Sequence, residues 1–175
     1  MGTIFIAGTY GVGKSTLALK LSKKTGIPFY SAGDLISAKT GEQYGKDKAV
    51  SNKDRNQDIL IDSISGILLG VERIILSGHF CIVTKDGQVD LLPENVFTKL
   101  DIDKIILLES SVSIISDHLK HRDNKHYPLD LLQHLQQEEQ MAAKRTSKRL
   151  SRPLLIHTME YTDSEINDLI YFLNT

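Results

Sequence analysis

The chain has 175 residues, 41% of them hydrophobic and 25% charged, with a formal net charge of -1 and one cysteine. That length and composition describe a single globular domain with a sizeable core, and the balanced charge offers no general pull towards nucleic acid or an anionic membrane surface. One cysteine closes no internal disulfide and no apolar run approaches membrane-spanning length; Ile6 also stands where a Met-Gly myristoylation start wants Ser or Thr, so the expectation is a cytoplasmic protein without a lipid anchor.

The first predicted element is the unbroken apolar run Thr3-Ile4-Phe5-Ile6-Ala7, which reads as a strand buried on both faces. GTYGVGKST follows directly, at residues 8–16. Its spacing, Gly8, four residues, then Gly13-Lys14-Ser15, is the full pattern of a phosphate-binding loop. Glycines let the backbone curl until successive N–H groups converge on an anion, and the following helix adds its positive end. Nucleotide phosphates are therefore assigned to Gly8, Tyr10, Gly11, Val12, Gly13, Lys14, Ser15 and Thr16. Lys14 would reach the outer phosphates of ATP, and the Ser15 hydroxyl would ligate Mg²⁺. The helix carrying Leu17, Leu19 and Leu21 should stop near Gly26-Ile27-Pro28.

Further along, Pro28-Phe29-Tyr30 reads as a second strand, Ser31 to Asp34 as a turn, and Leu35 to Lys39 as a short helix. Thr40 to Lys53 is polar and reads as a loop or mobile segment. Asn56 to Leu69 places Ile59, Leu60, Ile64, Ile67 and Leu68 at helical spacing. RIILS at 73–77 is a third strand, and CIVTKDGQVDLL is a hairpin turning at Asp86-Gly87. A fourth strand is expected at 103–108, a helix at 112–120, a basic polar loop at 122–128 and a long helix at 129–150. A last strand at 154–158 and an amphipathic helix at 164–173 close the chain.

Strands alternating with helices imply right-handed crossovers, a parallel sheet covered on both faces, and ligands at the carboxyl ends of the strands. The expected fold class is α/β: a three-layer α/β/α P-loop nucleoside triphosphate hydrolase fold with a five-stranded parallel sheet. It should form one domain, with a small hairpin and a lid-like insertion over residues 119–128.

IPFYSAGDLI resembles the segment by which adenylate kinases lead into their acceptor-nucleotide region, and IILSGHFCIVTKDGQVDLLP, IILLESS and EEQMAAKR are similar to stretches of archaeal-type adenylate kinases. The resemblance implies a small nucleoside-monophosphate-kinase-like phosphotransferase using ATP and Mg²⁺. By the same resemblance Asp34 supports magnesium through water, His79 and Arg55 face the acceptor, Arg122 lies in the lid, and Arg145 sits on the helix behind it. Lys14, Arg122 and Arg145 then form the catalytic set. Three positions depart from the family pattern: Ser77 replaces the aspartate ending the third strand, Ala32 replaces a threonine, and Ser37 replaces the arginine that grips the acceptor phosphate. Lys39, from one turn further on, is the stand-in for that arginine.

Phosphoryl transfer asks little covalent chemistry of a protein, so His79 is assigned to acceptor binding rather than to proton transfer. Cys81 reads as a core residue of the hairpin, and the scattered histidines show no zinc-ligand spacing. The leading functional reading is transfer of the γ-phosphate of ATP to a nucleoside monophosphate. Two others stay open: a kinase of another small hydroxyl compound, and a slowly hydrolysing regulatory NTP-binding module.

Overall fold

The computed structural model describes residues 2–41, 53–84, 86–124 and 126–175. In chain order the elements are β1 (Gly2–Gly8), α1 (Lys14–Thr25), β2 (Phe29–Ser31), α2 (Ala32–Thr40), α3 (Lys53–Leu68), β3 (Arg73–Ser77), β4 (Cys81–Val83), β5 (Val89–Leu91), α4 (Glu94–Lys99), β6 (Ile102–Glu109), α5 (Val112–Asp123), α6 (Leu129–Leu150), β7 (Leu154–Thr158) and α7 (Glu165–Asn174). Five strands form one sheet in the order β2-β3-β1-β6-β7, all pairs parallel, while β4 and β5 pair antiparallel as a separate hairpin. This is the three-layer α/β/α arrangement that the alternation of elements implies.

The central strand explains its own sequence. Ile4 and Ile6 point into one core cluster with Leu17, Leu21, Ile115 and Leu169, whereas Phe5 and Ala7 point into a second with Ile36, Leu60 and Phe97. A strand that buries both faces admits a polar side chain only where a partner waits, as the Thr3 hydroxyl donates to the Leu100 carbonyl at 2.6 Å, and the rest of TIFIA is apolar. α1, α5 and α7 cover one face of the sheet and α2, α3 and α4 the other. The long α6 serves both clusters, with Leu132 and Leu135 in the first and Ala142 and Ala143 in the second. Just past β3, a Cβ on Gly78 would come within 2.8 Å of the Phe5 ring, so only glycine lets the chain cross there.

Four local readings of the sequence change. Ser31 to Asp34 is the start of α2 rather than a free turn: the Ser31 hydroxyl accepts a hydrogen bond from the Asp34 amide and caps the helix. Of the loop expected over residues 40–53, Thr40 ends α2, Gly41 caps it and Lys53 opens α3; residues 42–52 lie outside the described residues. α4 was not foreseen. At six residues it is too short to show a periodicity, and burial of Val96 and Phe97 holds it where local preference would not. Lastly, α5 runs on to Asp123, where Asn124 ends it in the left-handed conformation with its N–H on the Lys120 carbonyl. Leu119 is fully buried in the core, so the segment expected as a lid from residue 119 is helix for its first half, and the connection to α6 spans only 124–128.

Candidate functional site

The glycine-bearing loop between β1 and α1 is pressed between two neighbours. A Cβ on Gly8 would lie 2.5 Å from the Leu108 carbonyl oxygen of β6, and one on Gly11 would lie 2.7 Å from Leu119 of α5. Both glycines also carry positive φ, 145° and 78°. Side chains are therefore excluded twice over, by space and by backbone conformation. α1 starts from Gly13 in the left-handed conformation, with no side-chain cap and no acid in its first turn. Gly13 offers the leading amides no side-chain cap, which makes this end of the helix receptive to an anion. The Lys14 ammonium curls back over the loop and donates to the Gly8 and Thr9 carbonyls at 2.8 Å each. Thr9 Oγ1 is buried with no hydrogen-bond partner among the described residues.

Two side chains, one from α5 and one from the connection between β7 and α7, brace the loop. His118 Nδ1 lies 3.0 Å from the Gly11 carbonyl oxygen, and the Tyr161 hydroxyl donates to the Val12 carbonyl at 3.3 Å. Their rings meet edge to face at 5.0 Å.

A cavity of about 1130 Å³ opens over the carboxyl ends of the strands, with Lys14, Ser15 and Thr16 in its middle. Towards β6 and β7 it is lined by Lys20, His118, His121, Arg122, Tyr161 and Glu165, and towards β2 and β3 by Asp34, Gln57, Ser77, His79 and an apolar wall. Two lobes thus flank one phosphate-binding loop.

Behind His79 lies a buried carboxylate. Glu139 of α6 is fully inaccessible to solvent; it accepts hydrogen bonds from the Phe80 amide at 3.0 and 3.1 Å and from the Cys81 amide at 3.2 Å. Its Oε1 also lies 3.3 Å from His79 Nδ1 and 3.5 Å from Cys81 Sγ. The His79 ring also packs at a tilt on the Tyr10 ring of the loop, centroids 4.4 Å apart, and the Tyr10 hydroxyl accepts from the Val83 amide. Burial pushes the Tyr10 phenol and the Cys81 thiol well above their ordinary values, Cys81 further so because Glu139 is its neighbour. Cys81 is thus an inert core thiol.

The expected site residues divide into those at the cavity and those away from it. Tyr10, Gly11, Gly13, Lys14, Ser15, Thr16, Asp34, His79 and Arg122 line the cavity; Gly8 and Val12 are buried just behind it. Arg122 occupies the last turn of α5, its guanidinium forked onto the Asp123 carboxylate at 2.7 and 2.6 Å. Lys39 and Arg55 are exposed residues of α2 and α3 and do not line it. Arg145 is also absent from its wall: α6 turns Glu139, Ala142, Ala143 and Thr146 inward, which leaves Arg145 exposed beside a separate small pocket near Phe80 and Leu91.

Sequence reasoning missed Glu139, Gln57, His118, Tyr161 and Glu165. A signal existed for two of them. Glu139 interrupts the inward stripe Leu132, Leu135, Ala142, Thr146, and Glu165 heads the stripe Ile166, Leu169, Leu173. A carboxylate at a core position must have buried partners. His118 and Tyr161 reach the loop only through tertiary packing, and nothing local marks them.

The AAA domain family profile matches residues 7–136 of this chain. The adenylate kinase of Thermoplasma volcanium is 27% identical over 123 residues, a stretch covering 68% of this chain and 66% of that protein, so the chain spans slightly under two thirds of this relative. Deoxyadenosine kinase from M. mycoides, solved with bound dATP, superposes with a TM-score of 0.64 at 19% identity, covering 99% of this chain and 100% of its own. Shikimate kinase from Bacteroides thetaiotaomicron gives a TM-score of 0.64 at 15% identity, with 99% of each chain covered. At those identities the two solved structures speak for a shared fold.

Proposed function

The chain belongs to the AAA domain family and has the build of a P-loop kinase-like phosphotransferase, and on that premise we propose that it transfers the γ-phosphate of ATP to a small-molecule acceptor, a nucleoside monophosphate in the first instance. The observation that carries this reading is the loop itself: an ammonium folded over it and an uncapped helix N-terminus, set between two lobes of one cavity. Single-ligand pockets commonly fall between about 300 and 1,000 Å³, so a cavity of 1130 Å³ has room for two substrates. The similarity to an adenylate kinase supports a nucleotide acceptor.

In this reading ATP lies along the loop with its base towards His118 and Tyr161, and the acceptor enters the lobe under α2, α3 and α4. Lys14 leaves its carbonyl contacts to hold the outer phosphates, where negative charge shifts during transfer. Magnesium would be held by the Ser15 hydroxyl with Asp34 supporting it through water, both residues of the cavity lining. Magnesium there supplies charge neutralisation at the phosphates. Ser77, buried at the end of β3, contributes a hydroxyl where an acid is usual. His79, which lines the cavity with Glu139 behind it, would contact the acceptor in this reading.

The test is a panel of nucleoside monophosphates incubated with ATP and Mg²⁺ and followed for diphosphates. Tight ATP binding with slow hydrolysis and no acceptor product would favour the regulatory-module alternative. A second acceptor class, a hydroxyl compound whose body is a flat, weakly polar ring, as in an unphosphorylated nucleoside, is favoured by the apolar wall of the acceptor lobe, and nucleosides belong in the same panel.

Arg122 gives a sharper expectation. Its guanidinium must exchange Asp123 for a phosphate oxygen, so it acts when the site closes. Arg122→Ala should lower the transfer rate by about 100-fold while changing ATP affinity less than about threefold. Calorimetry of ATP binding and single-turnover kinetics on the same variant check this; a collapse of affinity with an intact chemical step would make Arg122 a ground-state anchor instead.

A further inference from the structure

The acceptor lobe combines an apolar wall with one buried amide. Phe5, Ile36, Leu60, Ile82, Val96 and Phe97 form the wall. Gln57, on α3 one turn before Leu60, also lines the lobe; it is only 8% exposed, and its Oε1 is buried with no hydrogen-bond partner among the described residues. A buried carbonyl oxygen of this kind is a standing penalty that an N–H donor removes. The other polar groups of the lobe, Ser31, Asp34, Ser77 and His79, gather at the strand ends beside the loop, where the transferring oxygen must lie. Beside these groups the lobe offers hydrocarbon and the Gln57 amide, whose Oε1 is a buried acceptor.

We propose that Gln57 is the specificity-determining residue of this lobe, and that the lobe takes a flat, uncharged ring bearing an N–H donor, the chemistry of a nucleobase, with that N–H donated to Oε1. The proposal rests on the phosphotransferase reading and deepens it. A flat ring satisfies the wall by the apolar area it covers, and its single N–H satisfies the amide oxygen. A cyclic hydroxy acid such as shikimate would instead bring several hydroxyls and a carboxylate against hydrocarbon, each needing a partner. Nucleosides and nucleoside monophosphates share the ring, and they differ only in what they place at the strand ends.

The experiment uses the whole chain, wild type and two variants, Gln57→Leu and Gln57→Glu. Each is assayed with ATP and Mg²⁺ against nucleosides, nucleoside monophosphates and shikimate, alongside calorimetry of ATP binding. The best ring acceptor is then compared with an analogue in which the N–H donor is replaced by hydrogen, as in a purine lacking its amino group. Gln57→Leu should raise the acceptor KM about 10- to 100-fold, leave ATP binding unchanged, and treat acceptor and donor-less analogue alike. Gln57→Glu keeps an accepting oxygen and should recover part of the loss. A preference for shikimate, or equal losses on acceptor and analogue, would each overturn the proposal and leave the phosphotransferase reading standing. Failure to bind ATP, or ATP binding with no acceptor of the panel used, would sink that underlying reading instead.

Discussion

Lys14→Ala is expected to reduce phosphoryl transfer by about 100- to 1,000-fold, the scale seen when one preorganised donor to a developing charge is removed. The melting temperature should move by less than about 2 °C, since surface-facing substitutions outside a core contribute little to stability. The geometry separates the two effects. The ammonium lies on the cavity side of the loop, bonded to the Gly8 and Thr9 carbonyls, while the parallel sheet beneath is held by β3 and β6 on either side of β1. Removing the side chain takes away the mobile positive charge and leaves the loop's glycine geometry, which depends on contacts with Leu108 and Leu119, in place. Single-turnover transfer and thermal melting on the same preparation check the pair of outcomes. Turnover like that of the wild type would remove the loop from the mechanism; a large loss of stability would make Lys14 a structural strut.

The second large effect belongs to a residue that touches no expected substrate. Glu139→Ala should destabilise the protein by about 2–4 kcal/mol, because it strips acceptors from the buried Phe80 and Cys81 amides and leaves a hole in the core. For a chain of this size that corresponds to a fall of roughly 5–15 °C in melting temperature. Glu139→Gln, which keeps one accepting oxygen at nearly the same volume, should lose less. Both variants free the His79 ring from its carboxylate neighbour, so acceptor KM should rise in each even at temperatures where the variant is fully folded. A melting curve for Glu139→Ala that overlays the wild type would mean that the two amides find other partners, and the account of this cluster would fail.

What was legible in the sequence follows from which features are local. A phosphate-binding loop needs particular residue types at consecutive positions, since positive φ at Gly11 and Gly13 and the steric limits at Gly8 are imposed on single residues. The strands were legible because β1, β3 and β6 are buried on both faces and tolerate only apolar side chains along most of their length. The acceptor lobe was not. Gln57 is one polar residue among several on a helix, and only the fold turns it inward to line the cavity. Arg145 shows the reverse: its place behind the basic segment suggested phosphates, but the inward stripe of α6 is set by Glu139, Ala142 and Thr146, and the arginine falls on the outer face. Lys39 and Arg55 likewise had the right charge and the right neighbourhood in the chain, on faces that do not line the cavity.

The junction of Leu119 with Gly11 bears on how this protein can change over time. By composition, HLKHRDNKHYP looks like a stretch where residues could be gained or lost freely. Its first part is not free: Leu119 sits fully buried against the loop, and Arg122 follows on the same continuous helix. One residue inserted between them would swing the arginine by about 100° around the helix axis and carry it away from the cavity. Insertions and deletions should therefore be tolerated only after Asp123, in the short connection ahead of α6, while positions 119 to 123 keep a fixed count even where their side chains drift.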